Sequence, residues 1–239
     1  MPKLFAELPR APYGVQPMPT HMGANRAEYY NGPALDGSRG GTFFANSLAF
    51  KRRPIWAMET LVAHETVPGH HLQVARASEL KDLPPFRRLG GYTAFSEGWA
   101  LYAETLGFDL GLYTDPHSRF GHLQAQAFRA ARLVTDTGIH ALGWNRQQAI
   151  DFMVERTGQD REFITGEIDR YTSMPGQALA YMIGKLKFDE LRDRARTKLG
   201  ARFDIRRFHN AVLDNGALPL ETLDKLVDEW IAEEVKRAG

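Results

Sequence analysis

The pattern of apolar and polar positions divides the chain into a non-helical N-terminal part and a long helical remainder. Residues 1–41 are rich in proline and glycine, which predicts extended and looped chain. Residues 42–46 are β-prone and bounded by turn residues, so we predict a short strand there. From Pro54 onward, apolar residues recur at helical spacing. The pattern predicts a mainly α fold with a minor β element near the N-terminus.

Proline, glycine and capping residues set the limits of the predicted helices. The first helix begins near Pro54 and is interrupted at Pro68-Gly69. Asn145 and Asp160 are suitable N-cap residues for two later helices, and Pro175-Gly176 is a further break. Other helices are predicted over residues 72–80, 116–142, 146–156, 177–199, 204–214 and 219–236. Phe95, Trp99, Tyr102 and Leu106 form an aromatic-rich stripe, which predicts a core-facing helix side.

The predicted strand has two readings. A strand just ahead of the first helix could present an unpaired edge to which an extended peptide adds. It could equally be a plain buried strand. The sequence does not separate the two.

Length and composition predict one globular domain. The chain has 239 residues, of which 43% are hydrophobic and 25% charged, which is ordinary for a globular protein. We therefore predict a single domain over residues 1–239, extended and looped over 1–53 and helical over 54–239. A homo-oligomer is also left open as an alternative for this chain.

Charge and cysteine content exclude several classes. The net charge of +1 argues against a dedicated nucleic-acid binder. The sequence contains no run of eighteen apolar residues, so no membrane span is predicted. The chain has no cysteine, which excludes disulfides, thiolate metal ligands and cysteine nucleophiles. As written, the N-terminus has no apolar core of signal-peptide length, so a cytoplasmic location is predicted. A longer parent chain could carry an export signal to the periplasm.

The candidate chemistry is concentrated in residues 61–73. This stretch holds three of the eight histidines, His64, His70 and His71, and Glu65 follows the first directly. Imidazole and carboxylate groups are common zinc ligands, and a carboxylate beside a metal-activated water can act as its base. The stretch therefore indicates a zinc site. The alternative is a polar surface cluster on a helix.

The spacing of these histidines requires a distorted helix. On a straight helix, His64 and His70 are about 240° and roughly 9 Å apart, and His71 lies roughly 10.5 Å from His64 along the axis. Two nitrogens on one tetrahedral zinc are only about 3.3 Å apart. A kink at Pro68-Gly69 could close this gap. The spacing alone leaves His70 and His71 both open as the second ligand.

A catalytic zinc needs a third protein ligand, and Glu97 on the next predicted helix is the best candidate. Gly98 beside it would allow close helix packing. Glu104, two turns further on, is better placed to orient a histidine from behind.

Three ordered motifs carry a resemblance to a known family. They are H-E-x-x-P-G-H-H-x-Q at residues 64–73, E-G-W-A-L-Y at 97–102 and R-Y-x-x-x-P-G-Q-A-x-x-Y at 170–181. Shorter motifs occur at 8–13, 36–39 and 136–140. Together they resemble the bacterial family catalogued as domain of unknown function 885. Members are usually longer, so the chain resembles their C-terminal, motif-bearing part without a large N-terminal helical region.

The resemblance implies a zincin-like catalytic domain of the gluzincin type, in which two histidines and a downstream glutamate bind Zn²⁺. Here these would be His64, His70 and Glu97. Dipeptidyl peptidase III, with one extra residue between its histidines, is a precedent for stretched spacing. By that analogy the Gly-His step marks the second ligand, which favours His70 over His71.

The expected function is a zinc-dependent metallopeptidase acting on a peptide or other small amide. Glu65 would pass a proton from the attacking water to the leaving amine. Tyr171, Tyr181 and Arg170 are candidate oxyanion donors, although each could equally be structural. His140 is a weaker candidate that is better explained as a satisfied core residue. Two alternatives stay open: a zinc hydrolase of non-peptide amides or esters, and a non-catalytic helical binding module.

Overall fold

A computed structural model describes residues 1–24, 26–51 and 53–237. Residues 25 and 52 of the predicted extended segment, and residues 238–239 of the predicted helical region, lie outside the described residues. The described part is mainly helical with a three-stranded sheet near the N-terminus, which confirms the predicted fold class. None of the helices in these ranges is both long enough and apolar enough to cross a membrane.

The sheet consists of strands β1 (Tyr13–Pro17), β2 (Tyr29–Asn31) and β3 (Gly41–Ala45). Strand β3 lies in the centre, parallel to β1 and antiparallel to β2. The predicted strand at 42–46 is therefore confirmed with a shift of one residue. Since β3 is paired on both sides, the reading of it as an unpaired edge is wrong.

The description of residues 1–41 as loop is corrected by β1 and β2. Strand β1 is exposed along its whole length and β2 has three residues, so neither shows a buried alternation that the sequence could reveal. Both strands are defined by their hydrogen bonds to β3, which are long-range contacts. The free edges of the described sheet belong to β1 and β2.

Eleven α-helices are found among the described residues. They are α1 (Met58–Glu65), α2 (His70–Glu79), α3 (Pro85–Leu89), α4 (Thr93–Thr105), α5 (Gly107–Leu110), α6 (Pro116–Ala141), α7 (Arg146–Thr157), α8 (Arg161–Ser173), α9 (Ala180–Leu199), α10 (Ile205–Leu213) and α11 (Leu220–Lys236). The first turn after Pro54 is a 3-10 helix, Ile55–Ala57, that leads into α1. Helix α9 begins three residues later than predicted, because residues 175–179 form turns.

The predicted caps are present. The side chain of Asn145 accepts a hydrogen bond from the backbone N–H of Gln148, whose side chain bonds back to Asn145, a complete capping box at the start of α7. The side chain of Asp160 accepts from the N–H of Phe163 at the start of α8. Both signals are local in sequence, which is why they could be recognised without the fold.

The main core is formed by α4 against α9, α10 and α11. The predicted aromatic stripe of α4 is confirmed, since Phe95, Trp99, Tyr102 and Leu106 are all buried. Gly98 of α4 faces Gly184 of α9 so closely that a methyl group on Gly98 would overlap the Gly184 Cα. This close packing places the start of α4, with Glu97, against the α1–α2 region. A second core joins α6, α7 and α8.

Candidate metal centre

The chain between α1 and α2 contains the predicted distortion. Helix α1 ends at Glu65, and α2 begins at His70 after Pro68 and Gly69. The N–H of Gly69 donates to the carbonyl of Ala63 at 2.9 Å, so the chain folds back on the end of α1. A Cβ on Gly69 would overlap the carbonyl oxygen of His64. Glycine is therefore required here by close backbone approach.

This fold-back brings the three predicted ligands together. The Nε2 atoms of His64 and His70 lie 3.5 Å and 3.2 Å from Oε2 of Glu97. One ligand atom from each of the three residues lies within 4.8 Å of the others. Burial would raise the pKa of Glu97, but the two imidazoles opposite it hold that pKa well below its ordinary value.

The donor set fits a zinc ion. Oε2 of Glu97 is buried and has no hydrogen-bond partner among the described residues, although it faces two imidazole nitrogens. A buried carboxylate oxygen without a partner is costly, and a cation shared with both nitrogens would satisfy it. Two imidazoles and one carboxylate, with a fourth position left for water, are a common catalytic zinc set.

Both ring nitrogens of His71 lie within hydrogen-bond distance of residues outside the candidate metal centre. Its Nδ1 lies 2.7 Å from the hydroxyl of Tyr30 on β2, and its Nε2 lies 3.0 Å from the carbonyl oxygen of Ala11. Both ring nitrogens thus have protein partners on the sheet side of α2. The geometry brings His70, and not His71, to Glu97 and His64.

Glu104 supports His64 from behind, in the position expected for it. Its Oε1 accepts a hydrogen bond from Nδ1 of His64 at 2.8 Å, and its Oε2 accepts one from Oγ1 of Thr60 at 2.7 Å. The side chain of Glu104 is fully buried. Since Nδ1 of His64 is the donor in this bond, Nε2 carries the lone pair that faces Glu97. Burial lowers the pKa of His64, but the hydrogen bond to Glu104 and the neighbouring carboxylate of Glu97 outweigh it and raise that pKa.

Glu65 lines the same cavity as the three candidate ligands. It is buried, and this burial raises its pKa to about 8, with Glu97 adding to the effect and His70 opposing it. A carboxylate with so high a pKa holds a proton readily near neutral pH.

The candidate oxyanion donors are separated by the fold. Tyr181 lines the cavity, with its ring 6.2 Å from the His64 ring and nearly parallel to it. Tyr171 is completely buried, and its hydroxyl accepts from Nε of Arg132 and donates to Glu167. Arg170 bonds Glu167 and Gln177. Tyr171 and Arg170 do not line the cavity. Of the three candidate donors, only Tyr181 lines it.

His140 is a satisfied residue, as expected, but it is not in the core. Its Nε2 lies 3.0 Å from the carbonyl oxygen of Tyr171, and the residue is exposed near the end of α6.

The cavity measures about 390 Å³ and is bounded by α1, α2, α6 and the chain around β2. Sequence reasoning missed its α6 wall, which includes Gln124, Phe128, Arg129 and Arg132. The available signal was an arginine on an apolar helix side: Ala125, Phe128 and Arg132 follow one another at helical spacing, and all three are buried.

Residues 1–227 match the family model described as "Bacterial protein of unknown function (DUF885)". The chain belongs to this family. No match was found among curated proteins. The predicted likeness to gluzincin peptidases gains no support from these comparisons and stays a prediction.

Several solved structures are similar to this chain, and two of them are described here. One, a "putative lipoprotein" from Colwellia psychrerythraea, is 42% identical with a TM-score of 0.94 over 97% of this chain. The other, a "putative lipoprotein of unknown function" from Shewanella oneidensis, is 22% identical with a TM-score of 0.78 over 93%, which shows the shared fold alone. The chain spans 40% and 41% of their lengths. Neither description supports the predicted cytoplasmic location.

Proposed function

We propose that this chain is the zinc-binding catalytic part of a peptidase of the gluzincin type. The observation that carries the proposal is the buried, unpartnered Oε2 of Glu97, which faces Nε2 of both His64 and His70. These three side chains would hold the zinc, with Glu104 orienting His64. When bound, zinc supplies a Lewis acid that polarises a carbonyl and lowers the pKa of a water.

Glu65 is the proposed proton carrier. It is buried and lines the cavity beside the three candidate ligands. It would accept a proton from the attacking water and donate it to the leaving amine.

Tyr181 is the proposed oxyanion donor. Its hydroxyl accepts a hydrogen bond from Nε2 of Gln177 at 3.2 Å, so its own hydrogen is free for another acceptor. Burial raises the pKa of Tyr181, with Glu97 adding to the effect, and this keeps the hydroxyl protonated. A protonated hydroxyl on a residue of the cavity wall can stabilise negative charge that develops on a carbonyl oxygen.

Peptides are favoured over non-peptide amides or esters by the sheet. Tyr29, Tyr30 and Gly32 of the β2 region line the cavity, and β2 is an edge strand of the described sheet. An extended peptide could add to this edge through main-chain hydrogen bonds. The similar protein from Colwellia psychrerythraea is described as a "putative lipoprotein", which favours an exported location over a cytoplasmic one.

The test combines metal analysis with a peptide-library digest. We expect one zinc per chain and hydrolysis that a chelator abolishes. Glu65→Gln should keep the zinc and lose hydrolysis by about 100-fold or more, because it removes the proton carrier only. Glu155→Gln, on the exposed face of α7, is the matched control and should behave as wild type.

Two outcomes would contradict the proposal. A Glu65→Gln variant as active as wild type would remove Glu65 from the mechanism. Zinc binding without cleavage of any peptide, amide or ester would favour the binding-module reading instead.

A further inference from the structure

We propose that Arg132 and Arg129, on the α6 wall of the cavity, form a subsite that binds the C-terminal carboxylate of a peptide substrate. The inference rests on the proposed peptidase function, and it names the substrate class as peptides with a free C-terminus. The observations that carry it are independent of the metal ligands.

The guanidinium group of Arg132 has one nitrogen without a partner. Its Nε donates to the hydroxyl of Tyr171 and its Nη2 to Oε2 of Glu167, both at 2.8 Å. Its Nη1 is buried and has no hydrogen-bond partner among the described residues. Arg132 is only 4% exposed, yet it lines the cavity. A buried donor of a charged group is costly to leave unpaired, and the cavity that Arg132 lines is the space beside it that an acceptor could enter.

The charges around Arg132 are unbalanced. Glu167 bonds both Arg132 and Arg170, and in the described ranges it is the only carboxylate in an ion pair with either guanidinium group. One carboxylate is thus paired with two guanidinium groups, so the group of three side chains has a net charge of +1. Buried charges are normally paired. An anionic ligand would complete the pairing.

The position of Arg132 relative to the candidate metal centre is set by Tyr181. The Arg132 guanidinium carbon lies 4.3 Å from the centre of the Tyr181 ring, and the His64 ring lies 6.2 Å from the same centre. Arg132 therefore lies no further from His64 than the sum of these two distances. A residue in extended chain spans roughly 3.3–3.6 Å, so a carboxylate on Arg132 would be at most a few residues from a carbonyl at the metal centre.

Aromatic rings hold the guanidinium in place. The Arg132 guanidinium carbon lies 4.4 Å from the centre of the Phe128 ring and 4.3 Å from the centre of the Tyr181 ring. Such contacts, with the bonds to Tyr171 and Glu167, fix the orientation of the group before any ligand binds. A planar, pre-oriented guanidinium suits a carboxylate better than a flexible lysine does.

Arg129 lies three residues before Arg132 on the same helix and also lines the cavity. Its Nη2 is 3.7 Å from Oε1 of Glu104, and its Nε is buried without a partner among the described residues. It adds a second guanidinium group to the α6 wall of the cavity. The arrangement predicts an enzyme that removes one or a few residues from a free C-terminus.

The first test uses wild-type protein and matched peptides, so no variant has to fold. Each peptide is prepared with a free C-terminal carboxylate and as the C-terminal amide. We expect kcat/KM to be roughly 100-fold higher for the free acid, because the amide leaves the arginine charge unpaired. A third series carries a C-terminal amide after Glu or Gln. Cleavage of the Glu amide as fast as the free acid would assign the subsite to an acidic side chain and overturn the proposal.

The second test is Arg132→Lys, which keeps the positive charge but removes the planar guanidinium group that can form two parallel hydrogen bonds to a carboxylate. It should raise KM for free-acid peptides about tenfold or more and so reduce the ratio of kcat/KM for the free acid to that for the amide. Arg119→Lys, at an exposed position of α6, is the matched control and should preserve the preference for the free acid. Zinc content and far-UV circular dichroism check that each variant is folded. An acid-to-amide preference unchanged in folded Arg132→Lys would overturn the assignment.

A binding measurement separates this proposal from the proposed function. Calorimetry with N-acetylleucine and N-acetylleucinamide needs no turnover, and it is run with and without zinc. We expect the acid to bind more tightly, and Arg132→Lys to weaken it in both conditions. If the protein hydrolyses nothing but shows this pattern, the peptidase proposal fails and the anion subsite stands. Equal binding of acid and amide would overturn the subsite even if hydrolysis were found.

Discussion

Oε1 of Glu104 lies 2.8 Å from Nδ1 of His64, and this buried contact joins α4 to α1. The bond assigns the proton of His64 to Nδ1 and orients Nε2 towards Glu97. Glu104→Gln keeps an acceptor but removes the negative charge that strengthens the bond. We expect zinc affinity to fall by about 10-fold to 100-fold, measured by competition with a chromophoric chelator. The buried Glu234 on α11 supplies the control, since Glu234→Gln should leave zinc affinity unchanged. An unaltered affinity in folded Glu104→Gln would show that this contact does not tune the site.

The two neighbouring histidines of α2 should respond differently to substitution. His70→Ala removes a candidate ligand, so the purified protein should lose stoichiometric zinc. His71→Ala should keep zinc but lower the free energy of unfolding by roughly 2 kcal/mol, because it removes the bonds to Tyr30 and Ala11. Zinc analysis and urea denaturation measure the two effects. Zinc loss in His71→Ala with retention in His70→Ala would reverse the ligand choice.

The contact between Gly98 and Gly184 should be sensitive to a single methyl group. Gly98→Ala would force α4 away from α9, at a cost of about 1–3 kcal/mol in the free energy of unfolding. Gly91→Ala, just before α4, meets no atom within 4 Å and should be neutral or slightly stabilising. Urea denaturation of both variants checks this. Equal stability of the two variants would contradict the close packing.

Stability should fall at mildly acidic pH through His209. This histidine is fully buried between Tyr102 and the carbonyl of Leu4, and burial lowers its pKa from 6.5 to about 4. Between these two pKa values the unfolded chain binds a proton that the folded protein excludes. His209 therefore does not lower the free energy of unfolding above pH 6.5, but it lowers it progressively as the pH falls from 6.5 towards 4. Between pH 7 and pH 5 this loss amounts to roughly 2 kcal/mol.

The check is urea denaturation at pH 7 and pH 5 for wild type and His209→Gln. The variant lacks the titrating group, so its loss of stability between the two pH values should be smaller by about that amount. Equal pH dependence of the two proteins would assign the acid sensitivity to other groups.

The helical framework could be predicted because its signals are local. A helix side repeats every few residues, so Phe95, Trp99 and Tyr102 revealed a core-facing stripe without knowledge of their partners. N-caps such as Asn145 act within one turn of their own helix. Strands β1 and β2 were missed because their identity depends on pairing with β3, which is distant in sequence.

The candidate metal residues were determined by the sequence in type, spacing and order. The need for a distortion at Pro68-Gly69 followed from helix geometry alone. The choice between His70 and His71 did not. Adjacent residues on a helix point about 100° apart, and only the three-dimensional packing decides which of them faces Glu97 and which faces Tyr30.

The tertiary structure also decided which distant residues share the cavity. Tyr171 and Tyr181 belong to one sequence motif, yet one supports Arg132 from behind and the other stands beside His64. The sequence signal of Arg132, an arginine on an apolar helix side, predicts its burial but not a binding role. Its burial, its unpartnered nitrogen and its place beside Tyr181 arise from contacts among α6, α8 and α9. Local periodicity and motif spacing are properties of the chain, whereas the meeting of these side chains depends on long-range packing.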